Sequence, residues 1–265
     1  MEDHIERLHR AINGKKIWHE EPVFCFTSDI DWASETVLSL FFQRLEGRPI
    51  KLTCFVTHDS EIINEAQRAG KIQRGIHPNF LPASSHGETF EEVIDQCMQY
   101  APEAKAYRSH RYFEVSDTAH MLKNKYGFEY GSNTCTNMQR GVQPFLHESG
   151  IVQMPVFLED GTHMYNGMDL NIKRYSGYLE SPGLKIISFH PMNFVFNSPN
   201  IPYMRNIKDS MSRAAYQTIN EDLIKELSNS GPGIANTIFQ LMDWVENKGK
   251  TVLSLEEIYG LAIDE

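Results

Sequence analysis

The sequence predicts an α/β fold, a barrel built from repeated strand–helix units. Three observations carry that expectation. Short apolar runs alternate with amphipathic stretches along most of the chain, the pattern of a parallel sheet joined by crossover helices. Five of those runs end on, or one step before, a residue that binds metal or handles protons. Residues 23–26 lead to Asp29 and Asp31, 51–56 to His58, the run ending 75–76 to His77, 106–109 to His110, and 185–189 to His190. Finally, 265 residues that are 41% hydrophobic, with 15 Phe, suit one barrel domain over 1–265. Strands of such a barrel all aim their C-terminal ends at one face, where chemistry gathers. Four histidines and an Asp-x-Asp at those ends therefore read as a single site.

The elements follow in order. After the first strand, "SETVLSLFFQRL" places Val37, Leu38, Phe41, Phe42 and Leu45 on one helical stripe. Strand two precedes "SEIINEAQRAG", a short helix closed by Gly70. Strand three ends at His77, and a Pro/Ser loop over 78–87 leads into the helix "ETFEEVIDQCMQY". Strand four is "KAYRS"; its helix "SDTAHMLKNKYG" has Ser116 as expected N-cap and Gly127 past its end. Weaker strands are expected at 128–131 and 151–157, and a clear one at 184–189, giving seven. From about residue 207 the chain reads as helices, including "GIANTIFQLMDWVENKG", which pack on the same domain because no linker separates them.

A formal net charge of −10 and a pI near 5.6 argue against nucleic acid or an anionic membrane as the main partner. No apolar stretch approaches the roughly 18 residues of a membrane span. The opening "MEDHIERLHRAI" places Ile5, Leu8 and Ile12 at helical spacing among charges, unlike a secretory signal, so a cytoplasmic location is expected. The four cysteines are scattered without a C-x-x-C pair, which reads as buried thiols rather than a disulfide frame.

Asp29 and Asp31, two apart at a strand end, are expected on the same side of the pleat. Two carboxylates that close resist joint ionisation unless a cation sits beside them. One holding a metal leaves the other free to accept a proton. His110 lies two residues after Arg108, so both are expected to face the barrel mouth, with Arg108 orienting a neighbouring carboxylate. His86 in "SSHGE" and His58 divide evenly between site and surface roles, whereas His190 after four apolar residues favours function. His4, His9, His19, His120, His147 and His163 read as mostly solvent-facing.

Taken together these segments resemble the NodB-type polysaccharide deacetylases (carbohydrate esterase family 4), and more closely their divergent WbmS-like branch, linked with surface-polysaccharide biosynthesis. The match rests on "TSDIDWA", "KLTCFVTHD", "GIHPNFLPASSHG", "YRSHRYF" and "LKIISFHPMNFVFN", in the family's order, and covers about residues 22–247. The resemblance implies a distorted (β/α)₇ barrel with extra C-terminal helices and a divalent metal, Zn²⁺ being the expected ion, in an Asp/His/His site. It implies Asp29 as catalytic base, Asp31 and His77 as metal ligands, Arg108 as the residue positioning the base, and His190 as catalytic acid. The expected partner is an N-acetylated sugar or glycan precursor. Two departures stand out. The family's second metal histidine falls at Leu81, so the third ligand is expected from His110 or His86. Ser109-His110-Arg111 also replaces the usual Pro-Pro-aromatic. Hydrolysis of another C–N or ester bond, or glycan binding without turnover, are the alternatives these departures leave.

Overall fold

The computed structural model describes residues 4–264. Among the described residues ten strands form one curled sheet: β1 (Pro22–Asp29), β2 (Leu52–Val56), β3 (Ile72–Ile76), β4 (Ala106–Tyr107), β5 (Tyr130–Gly131), β6 (Phe145–Leu146), β7 (Val152–Gln153), β8 (Val156–Glu159), β9 (Gly183–Ser188) and β10 (Thr251–Val252). The path runs β6-β7-β5-β4-β3-β2-β1-β9-β8, with β10 also on β1. Only Met154 and Pro155 separate β7 from β8, so 152–159 is one extended run. Its start pairs with β5 and its end with β9, both in parallel, and Val156 bridges Cys135 just beyond β5. The sheet thereby comes round on itself with seven parallel stations, which match the seven expected strands. Pairings only two residues long at β4 and β5, and an irregularity between Val156 and Leu158, make the barrel a distorted one. The short antiparallel β6 and the parallel β10, which covers Val23 and Phe24 below the start of β2, were not expected.

Strand side chains alternate in direction, and the alternation divides the buried residues between two cores. Phe24, Phe26, Cys54, Val56, Tyr107 and Ile187 join the helices around the barrel, among them Glu35–Leu45, Glu61–Arg68, Phe90–Tyr100 and Ile234–Asn247. Val23, Cys25, Phe55, Ala106, Val152, Leu184 and Ile186 make a second cluster, inside the barrel, with Ile12, Trp18, Leu255 and Ile258 of the terminal segments. Helix starts follow the expected chemistry: Ser34 and Ser60 cap their helices, and Thr89 forms a capping box with Glu92. The fifth helix differs. It begins at Ser116 with Val115 as N-cap, and Thr118 Oγ1 supplies the local bond to the Val115 backbone.

Gly75 of β3 belongs to the inward set. A Cβ there would stand 2.6 Å from a Phe55 ring carbon and 2.9 Å from the Ala106 carbonyl oxygen. Gly75→Ala should therefore destabilise the protein by about 1–3 kcal/mol, the usual cost of overpacking. Urea denaturation measures this, and a midpoint equal to wild type would show that Phe55 has room to move.

Candidate functional site

Followed toward the C-terminal ends of the strands, the inward positions change from apolar to polar. Beyond Cys25 come Thr27 and Asp29; beyond Ala106, Arg108; beyond Ile186, Ser188; beyond Tyr130, Ser132; beyond Gly75, His77. Arg108 is wholly buried at the centre of this layer. Its Nη1 donates to Asp29 Oδ1 at 2.7 Å, with Thr27 Oγ1 at 3.0 Å and Ser188 Oγ at 2.9 Å. Nε donates to the Ser132 carbonyl and Nη2 to Ser132 Oγ, each at 2.8 Å. The guanidinium lies over the Phe55 ring, 4.4 Å from its centroid. Burial opposes its charge, yet the adjacent Asp29 keeps it above even the ordinary arginine value.

Above that layer, Asp31, His77 and His110 converge. Asp31 Oδ1 is 3.2 Å from His77 Nε2 and 3.3 Å from His110 Nδ1. Nevertheless this buried oxygen has no hydrogen-bond partner. Three ligand atoms about 2.0–2.1 Å from a tetrahedral ion stand roughly 3.3–3.4 Å apart, so the spacing fits a shared cation better than direct bonding. One carboxylate and two imidazoles suit a borderline divalent metal. Burial would raise the Asp31 carboxyl, but the facing His110 and His77 rings hold it well below the usual carboxylate range. Both turns beside this cluster are strained: Asp31 and Trp32 have φ of 39° and 56°, Arg111 and Tyr112 of 57° and 55°. Left-handed non-glycine residues cost about 1–3 kcal/mol each and persist where the surroundings over-determine them.

His190 faces the same space from β9. Its Nε2 is 4.0 Å from Asp29 Oδ2 and 3.6 Å from Asp31 Oδ2. The other ring nitrogen, Nδ1, donates to Asp160 Oδ1 at 2.6 Å, and Asp160 Oδ2 accepts from the His190 backbone N–H and from Asn193 Nδ2. Burial disfavours a charged ring, but Asp160 outweighs it and lifts His190 well above its ordinary value. Glu159, beside them, is pushed up to about 7 by burial and by the Asp160 charge. Glu159, Asp160 and His190 also lie close enough to hold an ion. There, however, the oxygens are taken: Glu159 accepts from the Gly161 and Thr162 N–H groups, and Asp160 Oδ1 also accepts from Gly161 N–H. The orphaned oxygen marks the first cluster instead.

The structure brings Asp29, Asp31, His77, Arg108, His110 and His190 together. It does not bring His86: Nε2 donates to the Thr57 carbonyl at 2.7 Å, Nδ1 accepts from the Asn79 N–H, and burial pushes the ring down to about 4. Both nitrogens being engaged, the expectation of His86 as an alternative third ligand is corrected. His58 also stays out, its Nδ1 3.0 Å from Thr57 Oγ1. Asp31 is not on the pleat with Asp29, since β1 ends at Asp29; the turn, not strand alternation, makes the two carboxylates converge. His163 is buried rather than solvent-facing, with Nε2 against the Asp169 carbonyl. Sequence reasoning missed Asp160 and Asn193 altogether. Their signal was there: Glu159 and Asp160 end a strand as the histidines do.

Breaking a buried pair strands a charge, at a cost of about 3–5 kcal/mol. Arg108→Gln is expected to lower unfolding free energy by that amount, and Arg108→Gln/Asp29→Asn by less than the sum of the single changes. Chemical denaturation of the three variants checks this; strict additivity would show that the two side chains do not sustain each other.

The profile of the WbmS-like polysaccharide deacetylases matches residues 26–208. A crystal structure from Bordetella bronchiseptica, of a candidate polysaccharide deacetylase involved in O-antigen biosynthesis, is 25% identical with a TM-score of 0.72, over 84% of this chain and 90% of that one. More remote are a peptidoglycan N-acetylglucosamine deacetylase (12% identity, TM-score 0.46, covering 89% of this chain and 87% of that one) and an esterase domain of a xylanase from the hindgut metagenome of Trinervitermes trinervoides (13%, 0.42, 91% and 91%). At that similarity neither bears on function. No curated protein is significantly similar. Because the family profile spans more than half of its length, the chain belongs to the WbmS-like polysaccharide deacetylases.

Proposed function

We propose that the protein removes the acetyl group from an N-acetylated sugar of a surface-polysaccharide precursor, with a divalent metal, Zn²⁺ by its ligand set, held by Asp31, His77 and His110. The observation that carries this reading is the buried, unbonded Asp31 Oδ1 between two imidazoles. His190 Nε2 lies 3.6 Å from the other oxygen of Asp31 and 4.0 Å from Asp29 Oδ2. When bound, the ion supplies electrophilic polarisation of the acetyl carbonyl and of a water molecule. The protein groups supply the proton transfers. Arg108 occupies Asp29 Oδ1 and turns Oδ2 toward the cluster, so that oxygen accepts a proton from the attacking water. His190 keeps Nδ1–H on Asp160 and so presents Nε2–H to the leaving amine. Three buried thiols, Cys25, Cys54 and Cys97, fit a reducing, cytoplasmic setting, and no described helix is long and apolar enough to cross a membrane.

Metal analysis of purified variants tests the ligand set. Asp31→Ala and His110→Ala are expected to lose the ion, while Asp29→Asn and His86→Gln retain it; Asp29→Asn abolishes acetate release all the same. Loss of metal from His86→Gln with retention in His110→Ala would reverse the assignment.

Asp160→Asn tests the proton donor. An amide there no longer charges the imidazole or fixes its tautomer, so turnover should fall by roughly 10²–10⁴-fold, as for a lost positioned acid, with metal content unchanged. Turnover near wild type would remove Asp160 from the mechanism, and with it His190 as the acid.

A further inference from the structure

The short helix Arg213–Gln217 lies at the metal side of the mouth. Ser34, three residues past Asp31, donates to the Ile219 carbonyl at 3.0 Å and ties this segment down. Tyr216 is near enough to Asp31 that, after burial, the Asp31 charge helps to raise its phenol. One turn earlier, the Arg213 guanidinium covers Trp32, with Cζ 5.6 Å from the ring centroid. The same indole touches the His110 ring at 5.3 Å and the His86 ring at 5.4 Å. Arg213 therefore stands one indole away from the Asp31–His110 pair.

Its charge is uncompensated. Nη2 donates to Ser85 Oγ at 3.0 Å, which leaves the other N–H groups of a five-donor fork open. Among the described residues no carboxylate pairs with Arg213, nor with the exposed Arg111 that follows His110. In a chain of net charge −10, acidic partners are plentiful, and cations left bare at a mouth select for negative ligands. A guanidinium resting over an indole and bonded to a hydroxyl presents its remaining donors to the paired oxygens of a phosphate or carboxylate.

We propose that Arg213 is a specificity residue that reads an oxyanion on the substrate, a phosphate or a carboxylate carried by the N-acetylated sugar. This rests on the deacetylase reading for the identity of the sugar, not for the anion. The group docks on the open edge of Arg213 while the acetyl end reaches Asp31, His77 and His110.

Calorimetry on the metal-loaded full chain tests this with three probes: N-acetylglucosamine, its 1-phosphate, and the corresponding N-acetylated glucuronic acid. The wild type is expected to bind a charged probe roughly 10- to 100-fold more tightly than the neutral sugar, the range of a charge-assisted hydrogen bond. The charged probe that wins tells phosphate from carboxylate. Arg213→Gln should erase that preference and leave neutral-sugar affinity unchanged, Arg213→Lys should keep part of it, and Ser85→Ala, which removes one of the two contacts holding the guanidinium, should keep most of it. Equal wild-type binding of all three probes, or a preference that survives Arg213→Gln, overturns the proposal. So does an equal loss in Ser85→Ala, which would make Arg213 a latch for its helix. Acetate release is scored separately. Release without charge preference defeats this inference alone; charge-selective binding without release from any probe defeats the deacetylase reading and leaves the anion subsite standing.

Discussion

A guanidinium buried at the centre of a barrel constrains everything around it. Taken out of water, Arg108 must find both counter-charge and acceptors within the protein. Asp29 supplies the charge, and Thr27, Ser132 and Ser188 supply oxygens from three different chain segments. Phe55 lies beneath it, and Phe55 in turn needs the bare backbone of Gly75. The small polar residues near the top of β1 and β9 and just beyond β5 thus answer to one cation. The catalytic candidate Asp29 is fixed as a consequence, because the oxygen that faces the cluster is the one Arg108 does not hold.

The two acidic clusters of the mouth show how the same residue types serve different ends. Asp160 has each oxygen bonded, which makes it a rigid partner that charges His190 and sets which nitrogen carries the outward proton. Asp31 Oδ1 is buried, faces two imidazoles and bonds to neither. A satisfied network positions; an unsatisfied one waits for a ligand. The strained turns at Asp31–Trp32 and Arg111–Tyr112 belong with the second kind. Each bends the chain immediately at a member of the Asp31–His77–His110 cluster, and tertiary packing holds both against their local preference.

Much of this was legible in the sequence, for a physical reason. Parallel strands present their ends on one face, so Asp29, His77, Arg108, His110 and His190 could be read as neighbours although more than 150 residues separate the first from the last. The seven strands carried enough apolar length to be recognised, even where only two residues pair. What was not legible depended on side chains meeting through turns. The sequence left both His110, at a strand end, and His86, in a loop, open as the third member of the cluster, and the carbonyl of Thr57 and the N–H of Asn79 engage both nitrogens of His86. Asp160 follows a strand like the rest, but no motif marked it, and its pairing with His190 is made only where the two turns meet. Arg213 lies beyond the barrel in helices that carry no motif, and its place over Trp32 is a product of the fold alone.

The most direct test of the account is where an ion binds. Diffraction from crystals grown with Zn²⁺, recorded on both sides of the zinc absorption edge, locates it without reference to activity. The account predicts one anomalous peak bounded by Asp31, His77 and His110, with Asp29 held off by Arg108. A peak among Glu159, Asp160 and His190, or one that includes His86, would contradict it.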